Sequence, residues 1–265
     1  MYKYSAGFVG AGHMGGILAG IAVRTAGCGR TAVVCSTEDS TEAAAQRLGC
    51  AADTADNILA DSEFIFLGFR PADLGGFAQA NRSAIAGAQG TFVSMLSGVS
   101  IAALEEKLGA DKKIIRIMPN TPCEIGKGLI GYVCSNNAGD VQAQGLKALI
   151  SPAGLIEGIP EREMDMFSVV AACAPAYTYF FADALAKGGE QCGMDRDRAV
   201  SFIAQMLAGS AGMLLKGDKA PAALRDEVCT PGGTTIEGVN RLREGGFEAL
   251  VAEAVKASYN KTVGR

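Results

Sequence analysis

The chain has no tryptophan and a single histidine, His13. No Cys-x-x-Cys pair occurs among its eight cysteines, so zinc and thioredoxin-type signatures are missing and no metal site is expected. Long basic runs are missing too, and the net charge is −4. That argues against nucleic acid or an anionic membrane as the main partner. No charged segment leads into an apolar stretch near the start, so no secretory signal is expected. The longest apolar runs are too short, or too interrupted by polar residues, to span a bilayer. A chain of 265 residues with 49% hydrophobic residues needs no disulfide framework. Its scattered cysteines are expected to be reduced, mostly buried small hydrophobes in a cytoplasmic protein.

What is present is glycine, 35 residues of it, and its placement is informative. Tyr4 to Val9 is a short apolar run that reads as a strand. Gly10-Ala11-Gly12-His13-Met14-Gly15 follows at once, and then a helix-like run, Ile17 to Arg24. In strand, G-x-G-x-x-G, helix, the first glycine allows the tight turn. The second lets a pyrophosphate approach the backbone, and the third lets the helix pack closely. A dinucleotide is therefore expected on this loop. Thr31 to Cys35 reads as the second strand. Ser36 and Thr37 at its end are small neutral hydrogen-bonders suited to a 2′-phosphate, which favours NADP, with NAD possible. The plain alternative is that Ser36 to Ser40 caps a helix over Thr41 to Leu48.

Phe64 to Phe69 reads as a buried parallel strand, and Thr91 to Met95 and Lys113 to Met118 read as further strands. Arg70-Pro71 follows the first of these, a cation at the end of a strand where ligands sit in such sheets. Ser100 starts a helix, Ile101 to Leu108. Pro119-Asn120-Thr121-Pro122 is a stiff loop with side chains free to bond a ligand, and Asn120 counts among the expected cofactor contacts. Leu129 to Cys134 and Gly154 to Gly158 add two strands around a helix near Gly139 to Leu149. After Pro160 every segment is helical. The apolar run Met164 to Ala186, interrupted by Pro175, is expected inside a protein core at a dimer interface. Helices over Asp195 to Lys216, Ala222 to Val228, Thr235 to Arg243 and Phe247 to Asn260 complete an α/β chain. A Rossmann-type dinucleotide-binding domain (1–159) precedes an all-helical domain (160–265).

Thr230-Pro231-Gly232-Gly233-Thr234-Thr235 stands apart from these elements. Proline fixes one backbone angle, two glycines permit unusual ones, and Thr234 or Thr235 can cap the helix that follows. Such a turn converges N–H groups and hydroxyls on one spot and suits a small anion.

Taken together the motifs resemble the pyrroline-5-carboxylate reductase family over nearly the whole chain. The carriers are Gly7 to Gly15, Arg116-Ile117-Met118-Pro119-Asn120-Thr121-Pro122, Pro175-Ala176-Tyr177, and Val228 to Ile236 with Gly246-Phe247 downstream. The resemblance implies a Rossmann domain and a helical domain that interlocks with its twin in a homodimer. It implies reduction of 1-pyrroline-5-carboxylate to L-proline with NAD(P)H, the last step of proline biosynthesis. It puts dinucleotide contacts on Gly10, Ala11, Gly12, His13, Met14 and Gly15, on Ser36 and Thr37, on Gly68, Phe69, Arg70 and Pro71, and on Ser97 and Gly98. Substrate contacts fall on Glu161, Thr230, Gly232, Gly233, Thr234 and Thr235. Thr235 is the candidate catalytic hydroxyl, as a hydrogen-bond partner of the imine nitrogen. Departures from the family pattern are His13, Arg70, Ser97, Thr230 and above all Ala171-Ala172-Cys173-Ala174 before Pro175. Two alternatives stand beside this reading. One is a reductase of another cyclic imine or small acid; the other is a non-catalytic NADP(H)-binding protein.

Overall fold

The computed structural model describes residues 2–264. They form two compact units, one running to Cys173 and taking in the segment from Lys261, the other spanning Ala174–Asn260.

The first unit is a doubly wound sheet. Strand β1 (Tyr4–Val9) leads through helix α1 (His13–Ala26) to β2 (Thr31–Val34), and α2 (Glu38–Leu48) leads to the two-residue β3 (Ala51–Ala52). Helix α3 (Ala55–Asp61) precedes β4 (Ser62–Leu67), and α4 (Leu74–Ala80) and α5 (Arg82–Gly87) precede β5 (Thr91–Ser94). Helix α6 (Ile101–Leu108), β6 (Lys113–Met118), β7 (Gly128–Cys134), α7 (Asp140–Ile150), β8 (Gly154–Gly158) and α8 (Glu161–Phe167) follow. The sheet order is β3-β2-β1-β4-β5-β6-β7-β8, parallel except for the β6–β7 pair. The expected boundary at 159/160 is the junction between β8 and α8.

The strands read as unbroken apolar runs because both faces of the sheet are covered. Phe8, Phe66, Ile115 and Ile117 pack on one face with Leu18 and Ile21 of α1 and Leu146 of α7. Val9, Ile65, Leu67 and Phe92 pack on the other with Ile58 of α3, Leu74 of α4 and Leu104 of α6. The rings of Phe8 and Phe66 stack at 4.3 Å across the adjacent strands β1 and β4.

The second unit is helical: α9 (Ala174–Gln191), α10 (Arg196–Leu215), α11 (Pro221–Val228), α12 (Thr234–Glu244) and α13 (Phe247–Thr262, to Asn260 in this unit). Tyr177 Oη meets Ser258 Oγ at 2.5 Å and so ties α9 to α13, and Arg196 binds Asp183 between α10 and α9.

The run from Met164 to Ala186 was expected to be interrupted at Pro175 and to lie at a dimer interface. Pro175 does break it: Ser168–Cys173 is a π-helical segment between α8 and α9. It is not a core helix of the single chain. Val170, Tyr179 and Phe180 are exposed, and Ala186 is the only buried residue of α9. Helices Glu161–Gln191 and Arg196–Leu215 are long and apolar enough to cross a membrane by length and composition. The cysteines also differ from expectation. All eight are free, yet only Cys123 is buried, while Cys28 and Cys192 are exposed. Burial pushes the Cys50, Cys123 and Cys134 thiols up, so these three stay protonated and unreactive.

Candidate active site

The loops that follow β1, β2, β4 and β5 leave the carboxyl ends of neighbouring parallel strands, where the strand order turns back on itself. That edge is the ligand crevice of a doubly wound sheet. Backbone bonds lock it: Gly10 N–H donates to Val34 O at 2.7 Å, Gly68 N–H to Val9 O at 2.8 Å and Met95 N–H to Leu67 O at 3.2 Å.

Three glycines of the first loop have distinct jobs here. Gly10 has φ +94°, and a Cβ on it would lie 2.6 Å from the Gly68 carbonyl oxygen. A Cβ on Gly15 would lie 2.4 Å from the Gly10 oxygen, so the close approach of α1 is to the loop itself. Around Gly12 a Cβ would meet nothing within 4 Å. Gly12 is also the N-cap of α1 and offers no side-chain cap, so the first N–H groups of the helix have no capping side chain. This is the geometry a pyrophosphate requires, and the residues fit a dinucleotide. Arg47, in the last turn of α2, donates to Ala11 O at 3.3 Å and brings a cation beside the loop. A cavity of about 570 Å³ runs from Gly12 and His13 past Gly16, Arg24 and Arg47. His13 is exposed, Met14 half-buried and Ala11 buried.

Ser36 and Thr37 are both exposed. Thr37 caps α2, accepting from Ser40 N–H at 3.2 Å, and Ser40 returns the bond. The helix therefore starts at Glu38 rather than at Thr41. Gly68 and Phe69 are half-buried, and Arg70 and Pro71 are exposed. Arg70 pairs with Asp73 at 3.1 Å in solvent. Ser97 and Gly98 are exposed in the loop before α6, Gly98 with φ +72°.

Two residues expected to touch ligand are instead bonded into the protein. Asn120 is buried. Its Nδ2 donates to Ala171 O at 3.0 Å and its Oδ1 accepts from Leu129 N–H at 2.9 Å. In an α-helix the Ala171 carbonyl would take its bond from residue 175, which is Pro175 and has no N–H. Asn120 replaces that missing donor where the π-helical segment ends. Glu161 accepts from Ile101 N–H at 2.7 Å and pairs with Arg116 at 3.4 Å. Asp165, one turn further along α8, holds Arg116 at 2.8 Å. Sequence reasoning did not single out this cluster. Its signal is Arg116, a lone charge between Ile115 and Ile117 in a buried strand.

The turn Thr230–Thr235 belongs to the helical unit. Gly232 has φ +71°, and Gly233 N–H donates to Thr230 O at 3.0 Å. The N-cap of α12 is Gly233, not Thr234 or Thr235, and no side chain caps the helix. Both threonines are exposed and sit inside the first turn of α12, whose leading N–H groups no side chain caps. A Cβ on Gly233 would lie 2.5 Å from Thr230 Oγ1, so a side chain there would displace the Thr230 hydroxyl. Lys187 is bound to Asp183 at 2.8 Å.

Residues 161–264 match the family described as pyrroline-5-carboxylate reductase dimerisation. Residues 5–98 match the family described as NADP oxidoreductase, coenzyme F420-dependent. The chain is 34% identical to pyrroline-5-carboxylate reductase 3 of Xenopus laevis over 97% of its own length and 94% of that protein. It is 33% identical to pyrroline-5-carboxylate reductase 3 of Macaca fascicularis over 95% and 92% of the two chains. Among solved structures it superposes on Plasmodium falciparum pyrroline carboxylate reductase with NADP bound. The TM-score is 0.90 at 25% identity, covering 100% of this chain and 98% of that one.

Proposed function

This chain belongs to the pyrroline-5-carboxylate reductase family, and on that premise we propose that it reduces 1-pyrroline-5-carboxylate to L-proline as an NADPH-dependent oxidoreductase. The observation that carries this reading is a likeness running through both units, with 97% of the chain aligned to one reductase. The relatives and the solved structure described above are all reductases of this family, and none supports the other readings.

Reduction of the cyclic imine needs a hydride at C5 and a proton on nitrogen. NADPH, when bound, supplies the hydride. The glycines of the first loop and the start of α1 hold its pyrophosphate, and Ser36 at the end of β2 is the exposed hydroxyl for the 2′-phosphate. The N–H groups at the start of α12 receive the substrate carboxylate, and Gly232 and Gly233 give the turn its shape. Thr235 offers a hydroxyl to the ring nitrogen. The only histidine is exposed at the phosphate loop, so the substrate enters already protonated and no histidine acid is used. Catalysis then rests on holding C5 against the hydride donor. Purified protein is expected to oxidise NADPH only when 1-pyrroline-5-carboxylate is present, with proline as product. Thr235→Ala should slow turnover tenfold or more, and unchanged kinetics would remove Thr235 from the mechanism.

The working unit in this reading is a homodimer. The exposed apolar side chains of the helical unit, Tyr179, Phe180, Phe202 and Leu250 among them, are the surface a twin would cover. A dimerisation family spanning the same residues supports that occupant over a lipid bilayer. Eight free cysteines suit a reducing cytoplasm.

A further inference from the structure

Glu161 begins α8, with Pro160 as its cap, yet its carboxylate is spent on another helix. Oε1 accepts the N–H of Ile101, the first residue of α6, at 2.7 Å. Ser100, the N-cap, accepts from Ala103 N–H at 3.2 Å. Two donors of the first turn are thus satisfied by side chains, one local and one sixty residues away in sequence. A carboxylate there also meets the positive end of the helix dipole. Arg116 Nη1 lies 3.4 Å from the same oxygen, and Arg116 is held in turn by Asp165 at 2.8 Å. Arg116 is 2% exposed, so the guanidinium is a fixed point in the sheet.

The residues just before Ile101 are the loop Leu96–Ser100, with Ser97 and Gly98 at its tip. Leu96 is buried in the core and Val99 packs against it, and the loop's own hydrogen bonds are few. Leu96 N–H donates to Ser94 Oγ at 3.3 Å and Val99 N–H to Leu96 O at 3.4 Å. A Cβ on Gly98 would lie 2.9 Å from the Thr262 carbonyl oxygen. Its downstream end is set by where α6 begins, and the Ser100 cap and the Glu161 bond fix that first turn together.

We propose that Glu161 is a positioning residue for the cofactor: its carboxylate pins the first turn of α6 and thereby the Ser97–Gly98 loop, and it is not a partner of the substrate's iminium charge. The proposal rests on the reading of Ser97 and Gly98 as dinucleotide contacts. Asp165 keeps Arg116 paired when Glu161 is changed, so the cluster tolerates the test.

The two roles separate under substitution. Glu161→Gln keeps an oxygen for Ile101 N–H and removes the charge; Glu161→Ala removes both. NADPH affinity is read by fluorescence titration without substrate, and kcat and KM for the imine separately. Glu161→Ala should weaken NADPH binding about fivefold to tenfold, and Glu161→Gln should stay within about twofold of wild type in both NADPH affinity and kcat. A Glu161→Gln enzyme that binds NADPH normally but loses kcat/KM for the imine tenfold would overturn the proposal, as would normal NADPH binding by Glu161→Ala. Ile101→Pro provides a second route. Proline is accepted at the first helical position and removes the donor, and Ser100 is already extended at ψ 162°. In that background Glu161→Ala should have no further effect on NADPH affinity; a full additive loss would overturn the proposal. Wild-type protein that binds NADPH without reducing the imine would sink the reductase reading and leave this inference standing.

Discussion

Asn120→Ala separates two roles for one side chain. A cofactor ligand would lose NADPH affinity and keep its stability. The structure places Asn120 in the protein's own bonding instead, donating to Ala171 O at 3.0 Å and accepting from Leu129 N–H at 2.9 Å. Alanine leaves both backbone groups without a partner, and Ala171 is buried. Each orphaned group costs about 1–3 kcal/mol, so the loss is on the order of 3 kcal/mol. For a unit of this size that corresponds to a fall in Tm of roughly 6–12 °C. Circular dichroism melts and urea titrations read it, alongside an NADPH titration on the folded variant.

Pro175→Ala tests the cause. It returns an N–H to the position that an α-helix would use for the Ala171 carbonyl. Removing a proline from a helix stabilises in any background, so the informative quantity is the difference between backgrounds. Pro175→Ala should stabilise the Asn120→Ala protein by about 1 kcal/mol more than it stabilises the wild type. Zero coupling would refute the account of the π-helical segment. An unchanged Tm with tenfold weaker NADPH binding would return Asn120 to the cofactor site.

Phe180→Glu places a charge on one of the most exposed aromatic side chains of α9. A phenylalanine buried at an interface contributes about 3 kcal/mol, counted twice across a twofold axis. The variant is expected to elute as a monomer in size-exclusion chromatography with light scattering, and a dimer of unchanged stability would show that α9 is not the interface. Asp53 links stability to pH. Burial opposes its charge, but bonds from Tyr4, Asn57, the Thr54 backbone and Lys3 together hold its carboxyl well below the usual carboxylate range. A carboxyl more acidic in the folded state stabilises fully above its unfolded value of about 4 and loses that contribution as pH falls below it. Asp53→Asn should therefore lower stability at pH 7 and flatten its decline between about pH 4 and pH 2; an unaltered acid profile would count against it.

The parts of the fold that were readable were those whose pattern is local. Tyr4–Val9 and Lys113–Met118 are largely apolar strands because helices cover both faces, and their bounds follow from the sequence alone. Ala51–Ala52 is too short to carry any pattern and is a strand only because β2 lies beside it. The start of α12 misled in an instructive way. Threonine is the better cap by preference, but the bond from Gly233 N–H to Thr230 O makes Gly233 the last non-helical residue. The phosphate loop was legible because each glycine answers a backbone constraint. The burdens of Asn120 and Glu161 were not, because each is set by a partner far along the chain, Ala171 in one case and Ile101 in the other. The apolar character of α9 was legible, and so was its expected place at an interface; its exposure in the single chain follows from that place.

The contact of Gly98 with the Thr262 carbonyl bears on how the protein is made. The segment from Lys261 belongs to the same unit as the phosphate loop, although the whole of Ala174–Asn260 is translated in between. On the ribosome the sheet can form early, but the loop carrying Ser97 and Gly98 acquires its last neighbour only after the helical unit has emerged. A nascent chain stalled before Lys261 would already hold Glu161 against the first turn of α6 but would lack the Thr262 carbonyl beside Gly98.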